Sequence, residues 1–147
     1  MVVIEVDAIA QMLNEGDPLI AVVGATDDPE KFGWRIYRDL KAKGFRVYPV
    51  NRRRATVDGD PAFADLAALP LLPDLVNIVV PPHETLRVLD RCEELGLRNV
   101  WLQPGAADEA VYTRLASGPY NATADACIMV RSRPKVTDRD PGPSATR

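Results

Sequence analysis

The chain has 147 residues, 46% of them hydrophobic and 27% charged, with 18 basic against 21 acidic side chains and a formal net charge of -3. That length makes one domain, able to bury roughly two thirds of the surface its unfolded form would expose, so it needs no disulfide or metal staple to fold. The mildly acidic balance excludes general nucleic-acid binding, which requires a broad basic face, and no apolar run is long enough to cross a bilayer.

The opening segment, "MVVIEVDAIAQMLNEGD", lacks the basic stretch and apolar core of a secretory signal, and a cytoplasmic location is expected. Val6, Ile9 and Leu13 stand at helical spacing, which predicts an extra helix ahead of the first strand. Four apolar runs, at 19–23, 46–50, 75–80 and 99–102, are short enough for strands buried on both faces, and a fifth follows at 127–130. Segments with a helical period lie between them. This alternation predicts an α/β domain with a parallel sheet covered on both sides.

Between the first two runs, Gly33, Ile36, Tyr37 and Leu40 form one apolar stripe, closed by Gly44 and opened by Asp28-Pro29-Glu30 as cap, first-turn proline and acid. After Pro82 the stripe recurs as Thr85, Leu89 and Cys92 and ends at Gly96. A further helix is expected from Asp108 to Ala116, with Ala110, Val111 and Leu115 facing inward. Beyond Arg133 the chain turns polar, so the expected organisation is one domain over 1–133 and a flexible tail over 134–147. Cys92 and Cys127 have no metal-type spacing to each other or to the single histidine, His83, and are expected to be buried thiols.

In an open parallel sheet, ligands sit beyond the carboxyl ends of the strands. The loop after the first run, "GATDDPEKFG", resembles a nucleotide-binding turn, with Gly24 allowing close backbone approach and Gly33 letting the helix lie against the strand. It is not the dinucleotide fingerprint, because Thr26 replaces the middle glycine. Asp27 and Asp28 would repel a pyrophosphate unless Lys31 or the helix dipole offsets them. The plain alternative is a strand-to-helix turn.

The second loop discriminates best. An NAD site would end its second strand in an acidic residue to accept ribose hydroxyls, whereas this chain places Asn51 and then Arg52, Arg53 and Arg54 there. Arginine forks bind phosphate monoesters, so two ligands fit: NADP with a 2'-phosphate and coenzyme A with a 3'-phosphate. A solvated basic turn is the plain alternative. The third loop, Val80-Pro81-Pro82-His83, makes a stiff wall, and His83 has no serine or cysteine nucleophile arranged with it. In the fourth, Gln103-Pro104-Gly105-Ala106 brings bare backbone to the mouth of the crevice.

Taken together, "IAVVGATDDPEKFGWRIYRDL", "GFRVYPVN", "LPDLVNIVVPP" and "NVWLQPGA" resemble the bacterial CoA-binding protein family, a stand-alone Rossmann-like module similar to the amino-terminal domain of the succinyl-CoA synthetase alpha subunit. The resemblance covers about 17–130. It implies five parallel strands in the order 3-2-1-4-5 with coenzyme A across their carboxyl ends. It also implies that Gly24, Ala25 and Thr26 lie near the diphosphate, that Asn51 with Arg52 or Arg53 holds the ADP end, and that Val80, Pro81 and Pro82 line the adenine side. Two features depart from the family: Arg52 stands where it often has proline, and "SGPYNATADAC" replaces a more regular helix and turn. Cys127 falls where the family pattern has a cysteine.

The related synthetases work through a phosphohistidine supplied with a second domain, and His83 sits in a proline-stiffened turn rather than a mobile glycine-rich loop. The expectation is therefore a non-catalytic coenzyme A or acyl-CoA binding module, with an NADP-dependent oxidoreductase or an accessory subunit of an acyl-CoA synthetase as alternatives. Expected partners are the small-molecule ligand, an acyl-CoA enzyme and, given the exposed edges of a small sheet, a second copy of the chain.

Overall fold

A computed structural model of the protein describes residues 6–135. The amino-terminal helix α1, Val6–Glu15, buries Ile9 and Leu13, one helical turn apart. Strand β1, Leu19–Val23, is buried at every position, as a run of apolar residues in the middle of a parallel sheet must be. Helix α2, Phe32–Ala42, buries Gly33, Ile36, Tyr37 and Leu40, the stripe read from the sequence. It starts later than its acidic and proline residues suggest. Asp28 instead closes a turn, accepting from the Glu30 N–H through its carboxylate (3.0 Å) and from the Lys31 N–H through its carbonyl (3.1 Å).

Strand β2, Arg46–Val50, leads into a ribbon of β3, Thr56–Val57, and β4, Asp60–Pro61. Asp58 and Gly59 make its turn, both at positive φ. The ribbon is bound to α2: the Tyr37 hydroxyl donates to Asp60 (2.6 Å), Lys41 meets Asp60 (2.6 Å) and Asp58 (3.0 Å), and Arg38 meets Asp58 (2.7 Å). A 3-10 turn at Leu66–Ala68 precedes β5, Leu75–Ile78, and α3, Pro82–Leu95, which ends on left-handed Gly96. Then come β6, Asn99–Leu102, α4, Glu109–Ser117, β7, Asn121–Ala124, and the short α5, Ile128–Arg131. In α4, Val111 and Leu115 are buried but Ala110 is exposed, so the inward stripe is narrower than expected.

The main sheet is parallel with order β2-β1-β5-β6-β7, an α/β Rossmann-like arrangement preceded by the extra helix α1. Counting those five strands along the chain, the order is 2-1-3-4-5, which corrects the expected 3-2-1-4-5 in one detail. The run beginning at Leu75 lies beside β1 and not outside β2. The reason is burial: β5 is buried at all four positions and belongs between two neighbours, whereas β2 carries Pro49 and partly exposed residues and belongs near an edge. The place outside β2 is taken by a single parallel bridge from Val50 to Phe63, with the Phe63 N–H donating to Pro49 (3.0 Å) and the Asn51 N–H to Phe63 (2.9 Å).

A second correction concerns the last strand. The run at 127–130 is mostly helix α5, of which Ile128 is buried while Val130 is 78% exposed, and the strand forms earlier from the weakly apolar Asn121–Ala124. Two apolar clusters cover the two faces of the sheet. One joins it to α3 and α4 through Leu89, Cys92, Val111 and Leu115, and the other joins it to α1, α2 and α5 through Leu13, Ile36, Leu40 and Ile128. Of the expected tail, residues 136–147 lie outside the described residues. Its first part is anchored: the Lys135 N–H donates to Lys43 (2.7 Å), and its ammonium lies over the Phe45 ring (4.7 Å). No helix among the described residues is long and apolar enough to cross a membrane.

Candidate functional site

At the carboxyl ends of β2, β1, β5 and β6 lies a cleft of about 1080 Å³. Its floor depends on two glycines. Gly24 has φ +107°, and a Cβ there would stand 2.9 Å from the side chain and the carbonyl of Val79. Its N–H donates to the Val50 carbonyl (2.9 Å), tying the ends of β1 and β2 together. Gly33 permits the close approach of α2: a Cβ at this position would fall 1.9 Å from the Gly24 carbonyl oxygen. Lys31 holds the N-cap position of helix α2 without a side-chain cap, leaving first-turn N–H groups for solvent or an anion.

Of the residues singled out in the sequence, the structure brings Gly24, Thr26, Lys31, Asn51, Arg52, Arg53, Val80, Pro81, Pro82 and Gly105 onto this one cleft. Two are not on it. Ala25 is fully buried beneath the loop. Gln103 is 4% exposed and turned into the protein, where its carbonyl accepts from Asn77 (3.1 Å) and the Ile128 N–H (2.9 Å) and its amide donates to the Cys127 sulfur (3.4 Å). His83 is exposed and outside the cleft lining.

Asn51 acts as a clamp. Its amide donates to the Ala25 carbonyl (2.8 Å), tying the second loop to the first, and its oxygen accepts from the Arg53 N–H (2.8 Å), closing a turn within the second loop. The Thr26 oxygen accepts from the Asp28 N–H (3.2 Å), a local turn that still leaves the hydroxyl hydrogen free to donate. Arg54 reaches Asp27 only at 3.8 Å. Lys31, Arg52 and Arg53 are exposed and have no ion-pair partner among the described residues.

Sequence reasoning missed the opposite wall. Helix α3 turns Glu84, Arg87, Val88, Arg91 and Glu94 to the cleft, and Asp65, Leu66 and Phe32 complete it. Arg91 braces this wall, meeting Asp65 at 2.9 Å and pairing with Glu94. Burial works against the Asp65 charge, but the Ala67 N–H and the Arg91 guanidinium outweigh it and hold that carboxyl below its usual pKa. Arg87 has no ion-pair partner among the described residues, giving the rim a fourth uncommitted cation. The spacing from Glu84 to Glu94 was visible in the sequence as a polar helical face. Which groove that face meets was not.

The match to the CoA binding domain model runs over residues 19–133. The chain is 40% identical over 82 residues to the alpha subunit of the ADP-forming acetate–CoA ligase II of Pyrococcus furiosus, covering 55% of this chain but only 18% of that subunit. It is 26% identical to the uncharacterized protein YneT of Bacillus subtilis, over 76% of this chain and 82% of that one. Among solved structures, a conserved hypothetical protein from Pyrococcus furiosus aligns with TM-score 0.73 and 36% identity over 77% of this chain and 97% of its own. The dinucleotide-forming acetyl-coenzyme A synthetase 1 of Ca. Korarchaeum cryptofilum, in complex with phosphate and ADP, aligns with TM-score 0.62 and 26% identity over 79% of this chain and 26% of its own. The similarity thus extends to compact chains of nearly the same size and to a segment of much larger ligases. The chain belongs to the CoA binding domain family.

Proposed function

We propose that the protein binds coenzyme A or an acyl-CoA as a non-catalytic module, with the nucleotide across the carboxyl ends of β2, β1 and β5. The observation that carries this reading is the set of exposed guanidinium groups at the end of β2, with Arg87 on the facing wall, around a floor of glycine backbone. The donors fit a phosphorylated nucleotide: the uncapped start of α2 favours an anion, and Arg52 or Arg53 supplies a fork for the ribose 3'-phosphate. Val80, Pro81 and Pro82 form an apolar wall for the base. The relation to acetate–CoA ligase subunits supports an acyl-CoA enzyme as the protein's partner.

The test is calorimetric titration with CoA, 3'-dephospho-CoA and NADPH. A charge-assisted contact contributes about 1.5–3 kcal/mol, so loss of the 3'-phosphate weakens binding roughly ten- to a hundredfold, and the Arg52→Ala/Arg53→Ala double variant erases that difference. Equal affinity of the unaltered protein for CoA and dephospho-CoA would show that the arginines do not read the phosphate. Binding of NADPH alone would replace the coenzyme A reading with the oxidoreductase one.

A further inference from the structure

The first loop carries two successive acids, Asp27 and Asp28, where an anionic ligand is expected. Their side chains have different surroundings. Asp28 lines the cleft, whereas Asp27 lies outside its lining. One Asp27 carboxylate oxygen accepts from the Asp58 N–H (2.8 Å), and the other faces the Arg54 guanidinium at 3.8 Å. The acid is thereby committed to the ribbon that follows β2.

Asp58 makes the turn of that ribbon at φ +53°, and its own carboxylate is held by Arg38 (2.7 Å) and Lys41 (3.0 Å) on α2. The chain leaves the sheet at Asn51 and returns at Phe63, whose carbonyl accepts from the Asn51 N–H (2.9 Å). Between these points it is fastened to the first loop at two places. The Asn51 amide donates to the Ala25 carbonyl (2.8 Å), and the Asp58 N–H donates to Asp27. Arg52, Arg53 and Arg54 lie in the span between the two fastenings. Arg54 is drawn to Asp27, while Arg52 and Arg53 line the cleft with no ion-pair partner among the described residues. A loop pinned at one end samples many placements of its side chains; pinning the other end removes part of that freedom before a ligand arrives, and preorganisation of this kind raises affinity.

We propose that Asp27 is a positioning residue of the ligand site: by holding the Asp58 N–H it fastens the far end of the arginine loop to the first loop, and so sets Arg52 and Arg53 to read the phosphate on the ligand's ribose. The inference rests on the coenzyme A reading for the identity of that phosphate. It reverses the sign that charge alone assigns to Asp27. As a bare anion near a phosphate, Asp27 weakens binding and its neutralisation strengthens it; as a fastening, it strengthens binding through the groups it places.

The experiment titrates CoA and 3'-dephospho-CoA into the full chain and into Asp27→Ala and Asp27→Asn, and follows hydrogen exchange of the Asp58 amide by NMR without ligand. Asp27→Ala removes the acceptor, whereas Asp27→Asn removes the charge but keeps a carbonyl oxygen for the Asp58 N–H. In Asp27→Ala the Asp58 amide exchanges about tenfold faster and CoA binds roughly tenfold more weakly, the low end of what a charge-assisted hydrogen bond contributes. Dephospho-CoA binds nearly as before, so the ratio between the two ligands shrinks by the same factor. Asp27→Asn recovers most of the CoA affinity and of the amide protection. Thermal melting of each variant checks the fold. Three results each overturn the positioning role while leaving CoA binding in place: Asp27→Ala binding CoA as tightly as the parent or more so, an equal loss for both ligands, or Asp27→Asn as weak as Asp27→Ala. If the parent neither binds CoA nor tells it from dephospho-CoA, the coenzyme A reading falls, and this inference with it.

Discussion

Replacing Gly33 by alanine tests how the site is built. Alanine in a helix is ordinarily about 1 kcal/mol better than glycine, so propensity alone predicts a more stable protein. The structure predicts the opposite. The new Cβ would sit 1.9 Å from the Gly24 carbonyl oxygen, where real contacts stay beyond 3.0 Å, so helix and loop must part by about 1.1 Å. Neither side gives easily: Gly24 is held by the Val50 carbonyl and packed on Val79, and α2 is anchored by Ile36, Tyr37 and Leu40. Overpacking of this kind costs about 1–3 kcal/mol, and more where backbone must move, which outweighs the helix gain. We expect a net loss of about 2 kcal/mol, read as a fall in Tm of roughly 6–10 °C by circular dichroism. Coenzyme A affinity falls with it, because Lys31 and Phe32 move with the start of the helix. Gly96→Ala is the control. Its Cβ meets nothing within 4 Å, so only the left-handed backbone at φ +75° is penalised, by about 1–2 kcal/mol, with no effect on the ligand. A Gly33→Ala protein that melts at or above the parent temperature would refute the close approach.

Two further outcomes follow from the electrostatics. The Lys41 ammonium and the Tyr37 hydroxyl hold the Asp60 carboxyl below its usual pKa, so its contribution is present above the unfolded carboxylate range, about 4, and is lost as pH falls through the depressed folded value. The Tm difference between the parent protein and Asp60→Asn should therefore be widest near neutrality and shrink in acid; a gap constant down to pH 2 would contradict the network. Burial, with a smaller contribution from Glu93, pushes the Cys92 thiol up to about 12, while Cys127 is only half-buried. A disulfide reagent at pH 8 should label one thiol in the native protein, Cys127, and two in denaturant, and rapid labelling of Cys92 in the native state would show that its pocket opens.

Much of the architecture is written in local pattern. The buried runs at β1 and β5, the stripes on α2 and α3 and the left-handed glycine after α3 follow from periodicity and chain geometry, which act over a few residues and are legible without a partner. Strand order is different in kind. Whether the third apolar run joins β1 or β2 depends on which strand can stand at an edge, and that was decided by Pro49 and by Phe63, which occupies the outer position with a single bridge. The last strand escaped notice because Asn121–Ala124 carries little hydrophobic signal and pairs only once β6 is there to receive it.

The site divides along the same line. That a cleft should lie at the carboxyl ends of the strands is legible from sequence alone, because sheet topology sets ligand clefts there, and the glycines and arginines of the first two loops do meet on it. Only the assembled molecule shows that Asn51 is a clamp, that Gln103 faces inward, and that Arg87 and Phe32 complete the cleft. Those roles depend on side-chain direction and on contacts between residues far apart in the chain, and chain order records neither.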